Sequence, residues 1–473
     1  MSPPFASDRA SAVNSDMGSR RSEGIAARPA GPAGPEGARR PAPNVALPAG
    51  FVAHTGHAGL REHGDDVAIV VSTTACASAA MFTRSLFEGP SVTISRPRAA
   101  AGKARGIVVV AKNANVATGD RGLSDAREVA LLAAQAGGVD AEEMLIASTG
   151  VIGRPYPMPA LRAHFERLIV AGRGLDPAQG PLDRAGPVDD AGGPVDGPGG
   201  PVDGPGGRPA GFTAHAGHLA EAMMTTDTVA KVAERALLTT SGAASRQARV
   251  VGVAKGVGMI EPDMATMLAF VFTDAAADPV WLAAEWRRAV DATFNCLSVD
   301  TDTSTSDTAV VLANGAAGPV DRAAMAVALR EVCLDLTLQL ARDGEGATKL
   351  LSVTVRRARD AAQARRVAKA VVNSPLVKTA VHGADPNWGR VAMAIGKCSA
   401  DRDIDPARVV IRFGDLETYP RRTDDAGLGR LRRVMSADHV DIDIELATGD
   451  SEATVYGCDL SEGYVRINAD YTT

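Results

Sequence analysis

The segment VDIDIEL sets Val440, Ile442, Ile444 and Leu446 against alternating acidic residues, a period of two that gives a strand one apolar and one wet face. A sheet built from such strands is covered by helices on its apolar side and open to water on the other. The runs DDVAIVVSTT and ARGIVVVAKNAN are β-branched and end in polar loops, which suits inner strands, and AEEMLIASTGVIG, LLSVTVR and ARVVIRFG read as strands too. Between them, Leu282, Trp286, Val290, Phe294 and Leu297 recur at helical spacing, as do Met325, Leu329, Val332, Leu336 and Leu340. SDAREVALLAAQAGGV predicts a helix with Ser124 as N-cap and a glycine pair as its stop. GHLAEAMMTTDTVAKVAERALLTT is mostly helical by composition, interrupted at Thr-Thr-Asp-Thr by residues that prefer caps and turns. The elements do not alternate in regular βαβ order. The expected fold is therefore an α/β layered sandwich of mixed sheets with packed helices, not a doubly wound nucleotide fold.

The chain has 473 residues, enough for two or three domains. Apolar residues make up 45% and aromatics only 4%, so the core must be built from Ala, Val, Leu and Ile. Lys and Arg number 50 against 56 Asp and Glu, without a basic stripe, which argues against a nucleic-acid partner. No apolar run is long enough for a signal peptide or a membrane span, so a cytoplasmic protein without a membrane partner is expected. Five separated cysteines, Cys76, Cys296, Cys333, Cys398 and Cys458, fit reduced thiols. The pairs His54/His57 and His215/His218 have metal-ligand spacing, but each sits among glycines without a nearby carboxylate partner. They read as loop residues, and no metal site is expected.

Residues 1–44 are rich in Pro, Gly, Ser and charge and read as a disordered extension; 180–211, a Gly-Pro-Val-Asp repeat, reads as a low-complexity loop. The stretch AKGVGMIEPDMATMLAFVF (254–272) is more informative. Its glycines do not make a phosphate cradle, because a third glycine and a following helix are missing and Pro262 comes too soon. Two readings of Thr266 remain. It is a β-branched residue opening a strand, or a latent nucleophile whose release by cleavage after Ala265 creates its own base, an α-amino group titrating near about 7.7–8.0. Gly256 and Gly258 would let the chain bend before the cut, and the small Ala265 leaves room.

KGVGMIEPDMATML resembles the self-cleavage segment of the ornithine acetyltransferase/N-acetylglutamate synthase family of arginine biosynthesis. Further segments similar to that family stand in order: FTRS, NAN, STGVIG, MTTDT, STSDT, EGATK, KTAVHGADPNWGRV and the C-terminal YVRINADYTT. The resemblance covers roughly residues 45–473 without the repeat loop. It implies a fold of the N-terminal-nucleophile type and a precursor cut between Ala265 and Thr266. The resulting chains, 45–265 and 266–473, would stay associated as an α2β2 heterotetramer. Thr266 would carry an acetyl group from N-acetylornithine to glutamate, releasing ornithine, with Thr149 and Gly150 as the oxyanion hole.

By the same resemblance, substrate contacts fall on Thr225 or Thr226, Lys255, Thr266, Glu345, Asn468 and Thr473. No bound cofactor is implied; acetyl-CoA as a second acetyl donor is left open. Charge makes sense of two of these contacts, since Lys255 can pair with an α-carboxylate and Glu345 with the ornithine δ-ammonium. Asp385, Asn387 and Arg390 in GADPNWGRV read as residues that lock a turn. KNAN, SLFEGPSV and the acidic pair Glu261 and Asp263 depart from the commoner family forms and leave acceptor preference open. Two rival readings stay beside this one: an N-terminal-threonine amidohydrolase or aminopeptidase, and an uncut metabolite-binding homologue.

Overall fold

The computed structural model describes residues 43–173, 211–240, 247–261, 267–421 and 424–470. Most of the expected N-terminal extension and repeat loop lies outside them, as do Ala265, Thr266 and Thr473. Three sheets carry the fold. The first is ordered β1 (Phe51–Gly56), β2 (Val67–Ser72), β4 (Gly106–Val110), β5 (Met144–Ser148). The second runs β3 (Ala77–Phe82), β9 (Thr308–Pro319), β8 (Leu268–Ala276), β7 (Gln247–Lys255), β6 (Lys231–Leu238). The third runs β12 (Leu416–Tyr419), β11 (Val410–Phe413), β13 (His439–Glu445), β10 (Leu350–Ala358), β14 (Ser451–Cys458). Each sheet is mixed, with one parallel pair: β4/β5, β8/β9 and β10/β13.

The first two sheets stack face to face, with Phe51 and Phe272 ring centroids 5.3 Å apart across the interface. Helices α1 (Pro90–Ala100) and α4 (Ala216–Met223) share that inner core. The outer face of the first sheet is covered by α2 (Gly119–Gly137) and α3 (Met158–Arg173), that of the second by α5 (Pro279–Ala292) and α6 (Arg322–Arg342). The result is the expected layered sandwich. The third sheet packs its apolar side on α7 (Ala361–Val372), α9 (Gly389–Gly396) and α10 (Asp425–Met435). In β13 the expected alternation holds, with Val440, Ile442 and Ile444 buried. Two further helices, α8 (Pro375–Gly383) and α11 (Glu462–Asp470), complete the described elements that concern the site. No described helix is long and apolar enough to cross a membrane.

Three local expectations are corrected. Helix α2 begins at Gly119 after Thr118, so Ser124 lies inside it and is not its cap, whereas Gly138 does end it in the left-handed conformation at φ 67°. In the segment expected to be helical, only Ala216–Met223 is helix; KVAERALL is strand β6, paired with β7 along eight residues. Its Ala, Leu, Glu and Arg favour a helix locally, but a sheet partner and a buried face outweigh propensities worth only tenths of a kcal/mol each. The helical period from Leu282 stops at Ala292; Phe294 belongs to a separate short turn at Phe294–Cys296, and Leu297 follows it.

Candidate active site

The second sheet places the chemistry at one edge row. Antiparallel pairing sets Lys255 opposite Leu268, and parallel pairing sets Leu268 opposite Thr308. Met267 and Asp307 stand one residue beyond that row, and the Thr308 amide donates to the Met267 carbonyl at 3.0 Å. A cleft opens there, lined by Lys112, Thr149, Gly150, Thr225, Thr226, Lys255, Met267, Asp307, Glu345 and Asn468 among others. All seven of the described residues expected at the site line this one cleft, although they come from five separate regions of the chain.

Thr149 and Gly150 follow β5 directly. The Thr149 amide is taken up by the Val110 carbonyl at 3.1 Å and the Val151 amide by the Lys112 carbonyl at 3.3 Å, which pins the turn on both sides of Gly150. Gly150 sits at φ 127°, and a Cβ there would come within 2.2 Å of the Lys112 carbonyl carbon, so no other residue fits. The Lys255 Nζ donates to Thr149 Oγ1 at 2.9 Å. That hydroxyl accepts from an ammonium, which leaves its own proton free to be donated into the cleft.

Lys255 is buried, and burial pushes its pKa down; Asp227 and Asp307 oppose that shift, while Lys231 and Lys112 add to it. Asp227 organises the neighbourhood. Its carboxylate accepts from Lys231 Nζ and the Gly256 amide, each at 2.7 Å, and from the Thr225 amide at 3.0 Å. Burial acts to raise its pKa, but the charges of Lys231 and Lys255 outweigh it and hold the carboxyl below the usual range. Lys231, fully buried, also meets Asp343 at 2.5 Å. The polar Thr-Thr-Asp-Thr interruption thus exists to carry Asp227 and to present Thr225 and Thr226.

The acidic side of the cleft is Glu345. Its Oε1 accepts from Thr226 Oγ1 at 3.1 Å and its Oε2 from Asn468 Nδ2, on α11, at 2.8 Å. Gly258 is needed for this approach, because a Cβ there would lie 2.4 Å from Glu345 Oε2. Gly256 has φ 145°, a backbone that favours glycine, and its amide is the one bonded to Asp227. Lys112 donates to the Thr225 carbonyl. Of the two threonines, Thr226 is the one whose hydroxyl touches Glu345.

The chain leading to the expected cut is tied down. Asp300 accepts from the Met259 and Ile260 amides at 2.6 and 2.7 Å. Glu261 accepts from Ser298 Oγ at 2.9 Å and from Asn373 Nδ2, with Lys369 at 3.6 Å. Sequence reasoning noticed Glu261 only as an added acidic residue, and it gave Lys112, Asp227, Asp300 and Asp307 no role. Asp227 and Asp307 do stand in the quoted segments MTTDT and STSDT, so a signal for them was present.

The histidine pairs need correction in part. His54 belongs to β1, not to a loop, and its ring lies 5.5 Å from that of His164. Burial and the facing His54 push His164 down to about 4. His57 has a carboxylate neighbour after all, Asp66 at 3.4 Å, though that group is already bonded to the amides of Ala58, Gly59, Leu60 and Arg61. His215 accepts the His218 amide at the start of α4. Among the described residues no group of His, Cys, Asp or Glu could hold a metal ion. Arg390 reaches the Leu376 carbonyl at 2.7 Å and Asp385 at 3.4 Å, as expected for a locked turn.

A mixed-sheet sandwich with a polar cleft fed by a strand start and a strand-end Thr-Gly turn defines an acyl-transfer class of site. The ArgJ family model matches residues 52–473, and the chain belongs to that family. It is 49% identical over 426 residues to arginine biosynthesis bifunctional protein ArgJ 2 of Nostoc sp., covering 90% of this chain and 98% of the relative. Glutamate N-acetyltransferase Oat2 of Streptomyces clavuligerus is 50% identical over 432 residues, again 90% and 98% of the two chains. A crystal structure of arginine biosynthesis bifunctional protein ArgJ from Bacillus halodurans is 40% identical, covering 44% of this chain and 100% of that one, with a TM-score of 0.41.

Proposed function

We propose that the chain is a self-processing acetyltransferase that moves an acetyl group from N-acetylornithine to glutamate through an acetyl ester on Thr266. The observation that carries this reading is the convergence of Thr149, Gly150, Lys255, Glu345 and Asn468 on the cleft beside Met267, the residue after the nucleophile. Thr266 Oγ attacks the acetyl carbonyl while the α-amine of the same residue takes its proton. The Thr149 hydroxyl, oriented by Lys255, and the Gly150 amide donate to the developing oxyanion, each such donor being worth about 2.7–4 kcal/mol. Glu345, held by Thr226 and Asn468, meets the ornithine δ-ammonium. Ornithine leaves, glutamate enters, and its amine takes the acetyl group in a second passage through the same oxyanion hole. Acetyl-CoA as an alternative donor belongs to the same proposal.

The cut after Ala265 would separate β7 from β8, which are neighbours in one sheet, while β3, β6 and β7 of the first part flank β8 and β9 of the second. Interleaved strands of this kind keep two chains together after cleavage. The proposal extends to an α2β2 assembly, tested by light scattering, and to the cytoplasm, which the five free cysteines support.

Mass spectrometry after a short exposure to N-acetylornithine tests the reading. One acetyl group on the fragment that begins at Thr266 is expected. An uncut chain, or acetate released at a rate independent of glutamate, would overturn it in favour of a binding homologue or an amidohydrolase.

A further inference from the structure

The proposed reaction uses Glu345 of EGATK and nothing of the KTAVHG run that opens KTAVHGADPNWGRV. In space the two motifs meet at Asp459, which directly follows β14 and is buried. Its Oδ1 accepts from the amides of Thr348 and Lys349 at 2.7 and 2.9 Å. Its Oδ2 accepts from Thr348 Oγ1 at 2.5 Å and from His382 Nδ1 at 2.7 Å. Burial acts to raise the Asp459 pKa, but the Thr348 hydroxyl, the two amides and His382 outweigh it and hold the carboxyl below the usual range. An ionised carboxylate only accepts, so His382 carries a proton on Nδ1.

His382 lies in the last turn of α8, and the same helix grips both chain segments that meet there. Lys378 Nζ donates to the Cys458 carbonyl at 2.6 Å, and the Leu460 amide to the Lys378 carbonyl at 3.4 Å. Lys349 Nζ donates to the Val381 carbonyl at 2.8 Å. One of these segments, 344–349, carries Glu345; the other runs on from Cys458 into α11 and carries Asn468. They are joined again nearer the cleft, where Ser461 Oγ donates to the Gly346 carbonyl at 2.5 Å. Gly346 has φ 69°, and a Cβ there would lie 2.3 Å from the Tyr464 nitrogen. The Glu345 carboxylate and the Asn468 amide, 2.8 Å apart, thus have their backbones set from one junction on α8.

We propose that His382 is a positioning residue for recognition of the ornithine side-chain ammonium, holding Glu345 and Asn468 in register through Asp459. The inference rests on the reading of Glu345 given above. His382 and Asp459 do not line the cleft, so the effect passes through the two segments they tie together. Without His382, Oδ2 keeps only the Thr348 hydroxyl, and the junction under both arms of the ammonium site loosens. Glutamate brings no side-chain ammonium and does not depend on that register.

Titration calorimetry with ornithine on the full chain, together with KM for both substrates, kcat and thermal unfolding, tests this on the parent, Glu345→Gln, His382→Ala and His382→Asn. The Asn side chain can offer an amide N–H where the imidazole Nδ1–H stands. His382→Ala should weaken ornithine binding and raise KM for N-acetylornithine by about 2–30-fold, the reach of a residue acting through a packed network. Its kcat and its KM for glutamate should stay level, and His382→Asn should recover the parent's affinity. Both KM values moving alike, or an Asn variant no better than Ala, would show a merely structural role and overturn the proposal.

If His382→Ala does not fold, Thr348→Val decides, because it removes the other side-chain donor to Oδ2 and keeps the shape. A selective loss of ornithine binding in that variant supports the junction, and unchanged binding overturns it. Parent protein that binds no ornithine, or Glu345→Gln that binds it as the parent does, overturns this inference together with the reading of Glu345. Weakened binding in Glu345→Gln beside parent-like binding in His382→Ala overturns the role of His382 alone.

Discussion

Lys255 ends β7 of the second sheet and Thr149 directly follows β5 of the first, yet the Nζ of one lies 2.9 Å from the Oγ1 of the other. The bond crosses the interface between the stacked layers and occupies a lone pair of the threonine oxygen, leaving its proton for another acceptor. Thr149→Val, which keeps the shape and removes the donor, should lower kcat by roughly 10²–10³-fold. KM for N-acetylornithine should change little. Steady-state kinetics check this, and an effect confined to KM would contradict the oxyanion role.

On the proposed mechanism, Thr266→Ala removes nucleophile and base together. The purified protein is expected as one uncut chain with no transfer activity. Intact-mass measurement and a radiolabelled acetyl-transfer assay read both results, and normal cutting in this variant would sink the mechanism.

Gly150 and Gly153 both have positive φ, 127° and 81°, but only at Gly150 would a Cβ strike backbone. Gly153→Ala should cost only about 1–2 kcal/mol of stability, the ordinary penalty of a left-handed residue. Gly150→Ala should cost more and abolish transfer, since the Lys112 backbone must move and the Thr149–Gly150 turn with it. Thermal unfolding beside activity separates the two variants, and equal behaviour would refute the steric account.

Glu345→Gln should raise KM for N-acetylornithine by roughly 10–100-fold, the worth of a hydrogen bond to a charged group. KM for glutamate, which has no side-chain ammonium, should stay level or fall. Equal increases for both substrates would mean that Glu345 shapes the cleft rather than reading the ornithine side chain.

Lys231 is fully buried between Asp227 at 2.7 Å and Asp343 at 2.5 Å. Lys231→Met strands two carboxylates in the interior and should destabilise the protein by about 3–5 kcal/mol. The pH dependence follows from two shifts. Burial would raise the Asp227 pKa, but Lys231 and Lys255 hold it low, so its share of stability is present above about pH 4 and lost as pH falls toward the depressed folded value. Burial would lower the Lys231 pKa, but Asp227 and Asp343 hold it high, so its share is present below about pH 10 and lost as pH climbs through the raised folded value. The gap between parent and variant should be widest between these limits and shrink in acid, as urea titrations at several pH values would show.

Much of the architecture can be read locally. The alternation at Val440–Leu446 is a strand because no other backbone separates those residues to two faces, and Met325–Leu340 is a helix for the corresponding reason. KVAERALL misleads because its helix preference is worth less than eight paired residues of sheet. The site was legible as a set of motifs, with the roles of Thr149, Gly150, Glu345 and Asn468 open to expectation from resemblance. Asp307 stood in plain sight in STSDT without a role. Nothing in the sequence tells that its Oδ2 is buried without a hydrogen-bond partner among the described residues, since that depends on what the rest of the fold brings near it.

By itself, then, the sequence determined the layered α/β class and the family motifs, because side-chain period, turn chemistry and residue identity are properties of neighbours along the chain. Only the tertiary structure decided that Lys255 turns to Thr149, that Lys231 can be buried between two carboxylates, and that Glu345 is held by Thr226 and Asn468. Those outcomes depend on desolvation and charge between segments more than a hundred residues apart, where energies are set by burial and distance and not by local preference.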